Sequence, residues 1–148
     1  SLYTYWKRTL PPPSMATFDA PNRETCVVER AATNTPLQAL VLLNDTQFVE
    51  AARGFAERIV ARAPRDDARL AWAFAEATGR VPDARERAVL ARALARERRT
   101  FAADADAARR ILAIGESPRD ESVDPAEHAA WTQVAALVLN LSESITRE

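Results

Sequence analysis

The chain has 148 residues, enough for one domain with a core of its own. Its 20 basic and 21 acidic residues leave a net charge of −1, which excludes a global electrostatic pull toward nucleic acid or an anionic membrane surface. Three glycines against abundant Ala, Leu, Glu and Arg disfavour a β-rich fold, and one cysteine excludes an internal disulfide.

The first 33 residues read as an irregular arm. SLYTYWKRTL is rich in aromatics, and Pro11, Pro12 and Pro13 then impose a polyproline-like run. Residues 34–148 read as a helical domain, and arm and helices together as a single domain. The first helix is predicted over TNTPLQALVLLNDTQFVEAARGFAERIVARA. Thr35 is its N-cap, Pro36 suits the first turn, and Gln38 completes a capping box. Leu37, Leu40, Val41, Asn44, Phe48, Ala52, Phe55 and Ile59 form the expected inward stripe. The apolar run 39–43 predicts burial on every side of that half.

A second helix follows in DDARLAWAFAEATG, capped by Asp66 or Asp67 and stopped by Gly79, with Leu70, Ala73, Phe74 and Ala77 inward. Asp83 and Glu86 cap a third helix, with Val89, Leu90, Leu94 and Phe101 inward. Asp104 or Asp106 opens a short fourth helix that Gly115 closes, and residues 116–123 are a polar loop. Asp124-Pro125 starts the fifth, with Trp131, Val134, Val138, Leu141 and Ile145 inward. ALVLLND at 39–45 and ALVLNLS at 136–142 look alike and read as two buried helices of similar composition. The expectation is an all-α fold of about five helices in an irregular bundle with a long Pro- and aromatic-rich arm.

Metal and haem chemistry find little to work with. There is one histidine, His128, read as a surface or boundary residue, and one cysteine, Cys26, read as a small buried apolar residue. No Cys-x-x-Cys-His is present, so no metal or cofactor is expected within these residues. The arginines of residues 85–110 are interleaved with Glu86, Glu97, Asp104 and Asp106, which reads as a solvated, salt-bridged face rather than a DNA-binding one. No apolar run approaches the ~20 residues of a membrane span. No signal-peptide pattern is present, and the chain opens at Ser1 on aromatic-rich sequence, so it reads as a piece of a longer protein.

The polar residues of the arm and first helix admit two readings. Asn34, Gln38 and Asn44 tie the arm to the helix, or they line a polar cleft between the two; the tie is preferred. The full polar set is Asp19, Arg23, Glu24, Arg30, Asn34, Gln38, Asn44 and Asp45. The arm's Tyr3, Tyr5, Trp6, Met15 and Phe18 form a docking set, because aromatics supply contact area and proline lowers the cost of ordering.

The segments LYTYWKRTLPPPSMATFDAPNRETC, TNTPLQALVLLND and FVEAAR closely resemble the planctomycete-specific C-terminal domain family PSD-one, a domain of unknown function. ATGRVPDARERAVL and ALVLNLSESITR fit it as well. The resemblance implies an exported, periplasmic or envelope-associated parent protein with a cytochrome c-like domain upstream, where any haem would sit. It also implies association with breakdown of complex polysaccharide. No catalytic residue carries over. The expected role is a non-catalytic module that packs on upstream domains of the same polypeptide. The alternative is a contribution to an upstream active site for a carbohydrate ligand. Neither reading calls for nucleic acid.

Overall fold

The computed structural model describes residues 5–7, 10–21, 25–29 and 33–145. Among the described residues eight helices lie in this order: α1 Pro13–Thr17, α2 Pro36–Asn44, α3 Thr46–Arg62, α4 Asp66–Thr78, α5 Ala84–Ala103, α6 Ala105–Leu112, α7 Pro125–Leu139 and α8 Ser142–Ile145. No strand occurs among the described residues; Lys7 and Leu10 form an isolated bridge. The fold is all-α. It has more pieces than expected because the long first helix is broken, α1 forms within the arm, and the last helix ends in the separate α8.

The break falls at Asp45, whose backbone is extended (φ −70°, ψ 134°). Its carboxylate accepts from the Gln47 amide at 2.9 Å and starts α3, while Asn44 Nδ2 donates back to the Leu40 carbonyl at 2.8 Å. Asn-Asp-Thr side chains compete with the helical ladder for backbone groups, and here they win. The break corrects the predicted stripe. Phase does not carry across it, so Leu37 and Leu40 are 58% and 57% exposed, Asn44 is exposed, and Gln38 is the buried residue of α2. The run 39–43 is therefore not covered all round.

The core forms around α7, which packs against α3, α5, α6 and α4. Eight of its residues are buried: His128, Ala129, Ala130, Trp131, Thr132, Val134, Ala135 and Val138. Alanines on α7 and at Ala52, Ala56, Ala73 and Ala108 let backbones approach, and Trp131, Ile59, Leu70, Phe74, Leu94 and Leu112 fill the space between. Arg98 reaches from α5 to join α4 and α7: Nη1 meets Asp66 at 2.5 Å, and Nε and Nη2 meet Glu127 at 2.8 and 2.5 Å.

Most helix ends follow local chemistry. Thr35 and Gln38 form the capping box of α2, as do Asp83 and Glu86 for α5; Asp104 caps α6, Asp124 caps α7, and Gly79 ends α4 at φ 79°. The expected Asp66 or Asp67 cap is a correction: Arg65 holds that position and makes no side-chain capping bond, its guanidinium donating instead to Asp67. Val89 is 44% exposed, against its expected inward place. No helix among the described residues is long and apolar enough to cross a membrane.

Candidate functional site

Three constructions hold the chemistry. The first fastens the arm. Gln38, 1% exposed, donates through Nε2 to the Thr17 carbonyl (2.9 Å) and to Thr33 Oγ1 (3.0 Å), while its Oε1 accepts from the Thr35 amide (2.9 Å). Asp19 Oδ2 accepts from the Thr33 amide (2.8 Å) and hydroxyl (2.7 Å), and more distantly from Gln38 (3.4 Å). Asp19 sits at φ 57°, a left-handed conformation that Asp tolerates better than most residues. Phe18 packs beside Phe48 with ring centroids 5.7 Å apart. Gln38→Ala would remove the donor from three acceptors, the distant Asp19 among them, and the acceptor from the Thr35 amide. The expected result is faster hydrogen exchange at Thr33 and Thr35 and a stability loss of about 1–3 kcal/mol.

Of the other sequence-derived candidates, Asn34 is exposed, Asn44 bonds within α2, and Asp45 caps α3. Tyr5 is 83% exposed, whereas Trp6, Met15 and Phe18 are half-buried. Tyr3, Arg23, Glu24 and Arg30 lie outside the described residues. Cys26 is exposed, contrary to its expected burial, as are Thr25, Val27, Val28 and Glu29 beside it.

The second construction was not anticipated. Arg53 of α3 is 3% exposed and donates to three carbonyls: Nη1 to Leu112 (2.6 Å) and Ile114 (3.0 Å), and Nη2 to Ser117 (2.5 Å). On the same helix face, Glu50 accepts from the Ser117 amide at 2.6 Å and Glu57 from the Asp120 amide at 2.9 Å. The Ser117 bonds hold the Glu50 carboxyl below its ordinary range. Gly115, at φ 99°, passes so close that an added Cβ would stand 2.5 Å from the Glu50 carboxyl carbon. The charged face Glu50-Arg53-Glu57, spaced i, i+3, i+7, was the available signal.

His128 lies beneath this clamp with no exposure, which corrects its expected surface position. The expectation rested on its place in the first turn of a helix; α3 and the 113–123 loop cover that turn. Its Nε2 is 3.5 Å from Glu57 Oε1, and neither ring nitrogen closes a hydrogen bond. Burial pushes the imidazole below its ordinary value of 6.5, against the pull of the Arg53 carbonyl and Glu57. The unfolded chain therefore takes up a proton that the folded one refuses. Stability is expected to fall as pH drops below about 6.5 toward the folded pKa, a window above that of the carboxylates. Urea midpoints measured across this window should flatten in His128→Gln.

The third construction is a groove between α5 and α7. A hollow of about 420 Å³ is lined by Phe74, Val89, Leu90, Leu137 and Leu141 with Arg80 and Arg85 at its edge. A second of about 190 Å³, sharing Leu137, is lined by Leu43, Ala93, Arg96 and Asn140. Arg80 lies 4.8 Å over the Phe74 ring and donates to both Glu86 (2.6 and 2.9 Å) and Glu143 (2.8 and 2.9 Å). This guanidinium depresses the Glu86 carboxyl to about 2 and lowers that of Glu143. Sequence reading missed the groove because it assigned Val89 to the core.

Among the described residues, no group of three or more His, Cys, Asp or Glu side chains is placed to hold a metal ion. Fold and constructions together define an all-α domain whose irregular arm and inter-helix loop are each fastened by polar side chains. A family model named PSD1, described as a protein of unknown function (DUF1553), matches residues 1–94, from the arm through the first half of α5. The chain belongs to that family. No curated protein matches it, and no solved structure does.

Proposed function

We propose that this chain is a non-catalytic interaction module that packs on other domains of a larger exported protein, using the arm and α2 as its docking face. One observation carries this reading. Of the ten exposed large hydrophobic residues described, seven precede Asn44: Tyr5, Leu10, Val27, Val28, Leu37, Leu40 and Leu43. Scattered exposed hydrophobics are ordinary; their concentration in one stretch of the chain is what supports an interface there. The family match spans the same region, which is consistent with a shared surface there. The parent's export and its upstream cytochrome c-like domain are part of the proposal, from the resemblance of the arm to the planctomycete family.

The polar residues of this region support packing over catalysis. Asp19, Gln38, Asn44 and Asp45 each bond to groups of the chain itself. The test is Leu37→Glu with Leu40→Glu in the parent protein. Both sites are more than half exposed, so the domain should keep its melting curve. Limited proteolysis should then release the domain from its upstream neighbours at least about tenfold faster. Unchanged release would remove the docking reading.

A further inference from the structure

We propose that the 113–123 loop between α6 and α7 is a proton-released latch, with the buried His128 ring as its trigger. The inference goes beyond the arm–α2 interface and does not depend on it. The loop is fastened from α3 by side chains. Arg53 donates to the Leu112, Ile114 and Ser117 carbonyls, Glu50 accepts from the Ser117 amide, and Glu57 Oε1 accepts from the Asp120 amide. Residues 116–118 and 120–122 are exposed, whereas α3 and α7 carry core residues along their length. Of the cover over His128, the loop is therefore the part that costs least to move.

His128 is fully buried, and neither Nδ1 nor Nε2 closes a hydrogen bond. An imidazolium carries a charge and two donors, so this seat costs it more than it costs the neutral ring. The charged groups around the ring do not make a site for a cation. From α3 come the Arg53 guanidinium and the Glu57 carboxylate, and from the loop Arg119 and Asp120. On α7 itself, Asp124 is engaged as the helix cap and Glu127 by Arg98 and Trp131. On α6, Arg109 pairs with Asp106 and lines a hollow with Arg119 and Pro125 at the start of α7. The positive end of the α7 dipole adds to the repulsion. Glu57 is the anion in reach, but its Oε1 stands 3.5 Å from Nε2, outside the ~2.7–2.9 Å of a charge-assisted bond. That same oxygen holds the Asp120 amide. A proton on the ring thus acts on the loop's own anchor, by drawing Glu57 away from it or by admitting water.

Burial holds the ring below its ordinary value of 6.5 while the loop is closed. Once the loop opens, the ring is hydrated and returns toward that value. The open state therefore binds the extra proton, and opening grows as pH falls below about 6.5 until the pKa of the closed state is reached.

The test is amide hydrogen exchange of the 148-residue chain, read residue by residue by NMR from about pH 7.5 to 5.5 and corrected for the intrinsic exchange rate. The Ser117 and Asp120 amides report the loop, and the Trp131 and Val134 amides of α7 report global unfolding. The loop amides are expected to open more readily than those of α7 at every pH. Their opening should be indifferent to low urea while that of α7 responds to it, because releasing a loop exposes little surface. The loop's opening constant should rise about fivefold or more across the pH range, and His128→Gln, once melts show that it folds, should flatten the rise. In the wild type itself, the His128 ring resonances should titrate below 6.5. Loop amides that share the urea response of α7 would overturn the proposal. So would a loop opening that is flat in pH or falls with acid, a rise that survives in His128→Gln, or a ring that titrates at or above 6.5. Failure of the Leu37 and Leu40 variants in the parent protein leaves this result unaffected.

Discussion

Replacing Arg53 with methionine is expected to cost about 3 kcal/mol and to lower the melting temperature by about 6–12 °C. The guanidinium is the donor for the Leu112, Ile114 and Ser117 carbonyls. Methionine keeps much of the stem's packing but donates nothing. The Leu112 carbonyl lies in a buried bond and pays most of the desolvation; Ser117 is exposed and can turn to water. Removing the buried charge recovers part of its own desolvation cost, so the loss stays below the sum of three buried bonds. Arg53→Lys should fall between, since a point ammonium cannot span three carbonyls as the planar fork does. Denaturant unfolding of the three proteins checks the order. Equal stability of wild type and the methionine variant would mean that the 113–117 loop needs no clamp.

Trp131→Ala is expected to be worse, about 3–5 kcal/mol, a large share of the 5–15 kcal/mol typical of a domain. The indole is fully buried where α7 meets its neighbours, and Arg69 and Arg98 stand 5.8 and 5.9 Å from its centroid. Its Nε1 donates to Glu127 Oε1 at 2.7 Å, and the same carboxylate receives Arg98. Alanine would empty the centre and release Glu127 from one of its partners. Trp131→Phe separates the two effects. It keeps most of the volume and deletes the hydrogen bond, so a loss of about 1–2 kcal/mol is expected. Calorimetric melts of both variants measure the split between packing and hydrogen bond.

The candidate surfaces were legible in unequal degree. The arm's chemistry stood out in sequence, and Gln38 and Asp19 do meet there. The Arg53 clamp did not, because its acceptors lie 59 to 64 residues away and are backbone carbonyls, which carry no sequence signature. Nor did the groove. Val89 fits an inward stripe as well as an outward one, and only the placement of α7 leaves it open.

What the sequence determined by itself was the local chemistry. Thr35 with Gln38, Asp83 with Glu86, Asp104, Asp124 and Gly79 mark helix ends because each bonds within three or four residues of itself. That is enough for an all-α class and for most boundaries. The tertiary structure decided which apolar faces are used. ALVLLN at 39–44 and ALVLN at 136–140 are nearly the same text, yet α2 buries only Gln38 while α7 buries eight residues at the centre of the domain. Periodicity says that a helix has apolar sides, whereas burial depends on how many other helices reach those sides. Asp45 breaks the helix between α2 and α3, and α3, α5 and α6 make the main contacts around α7.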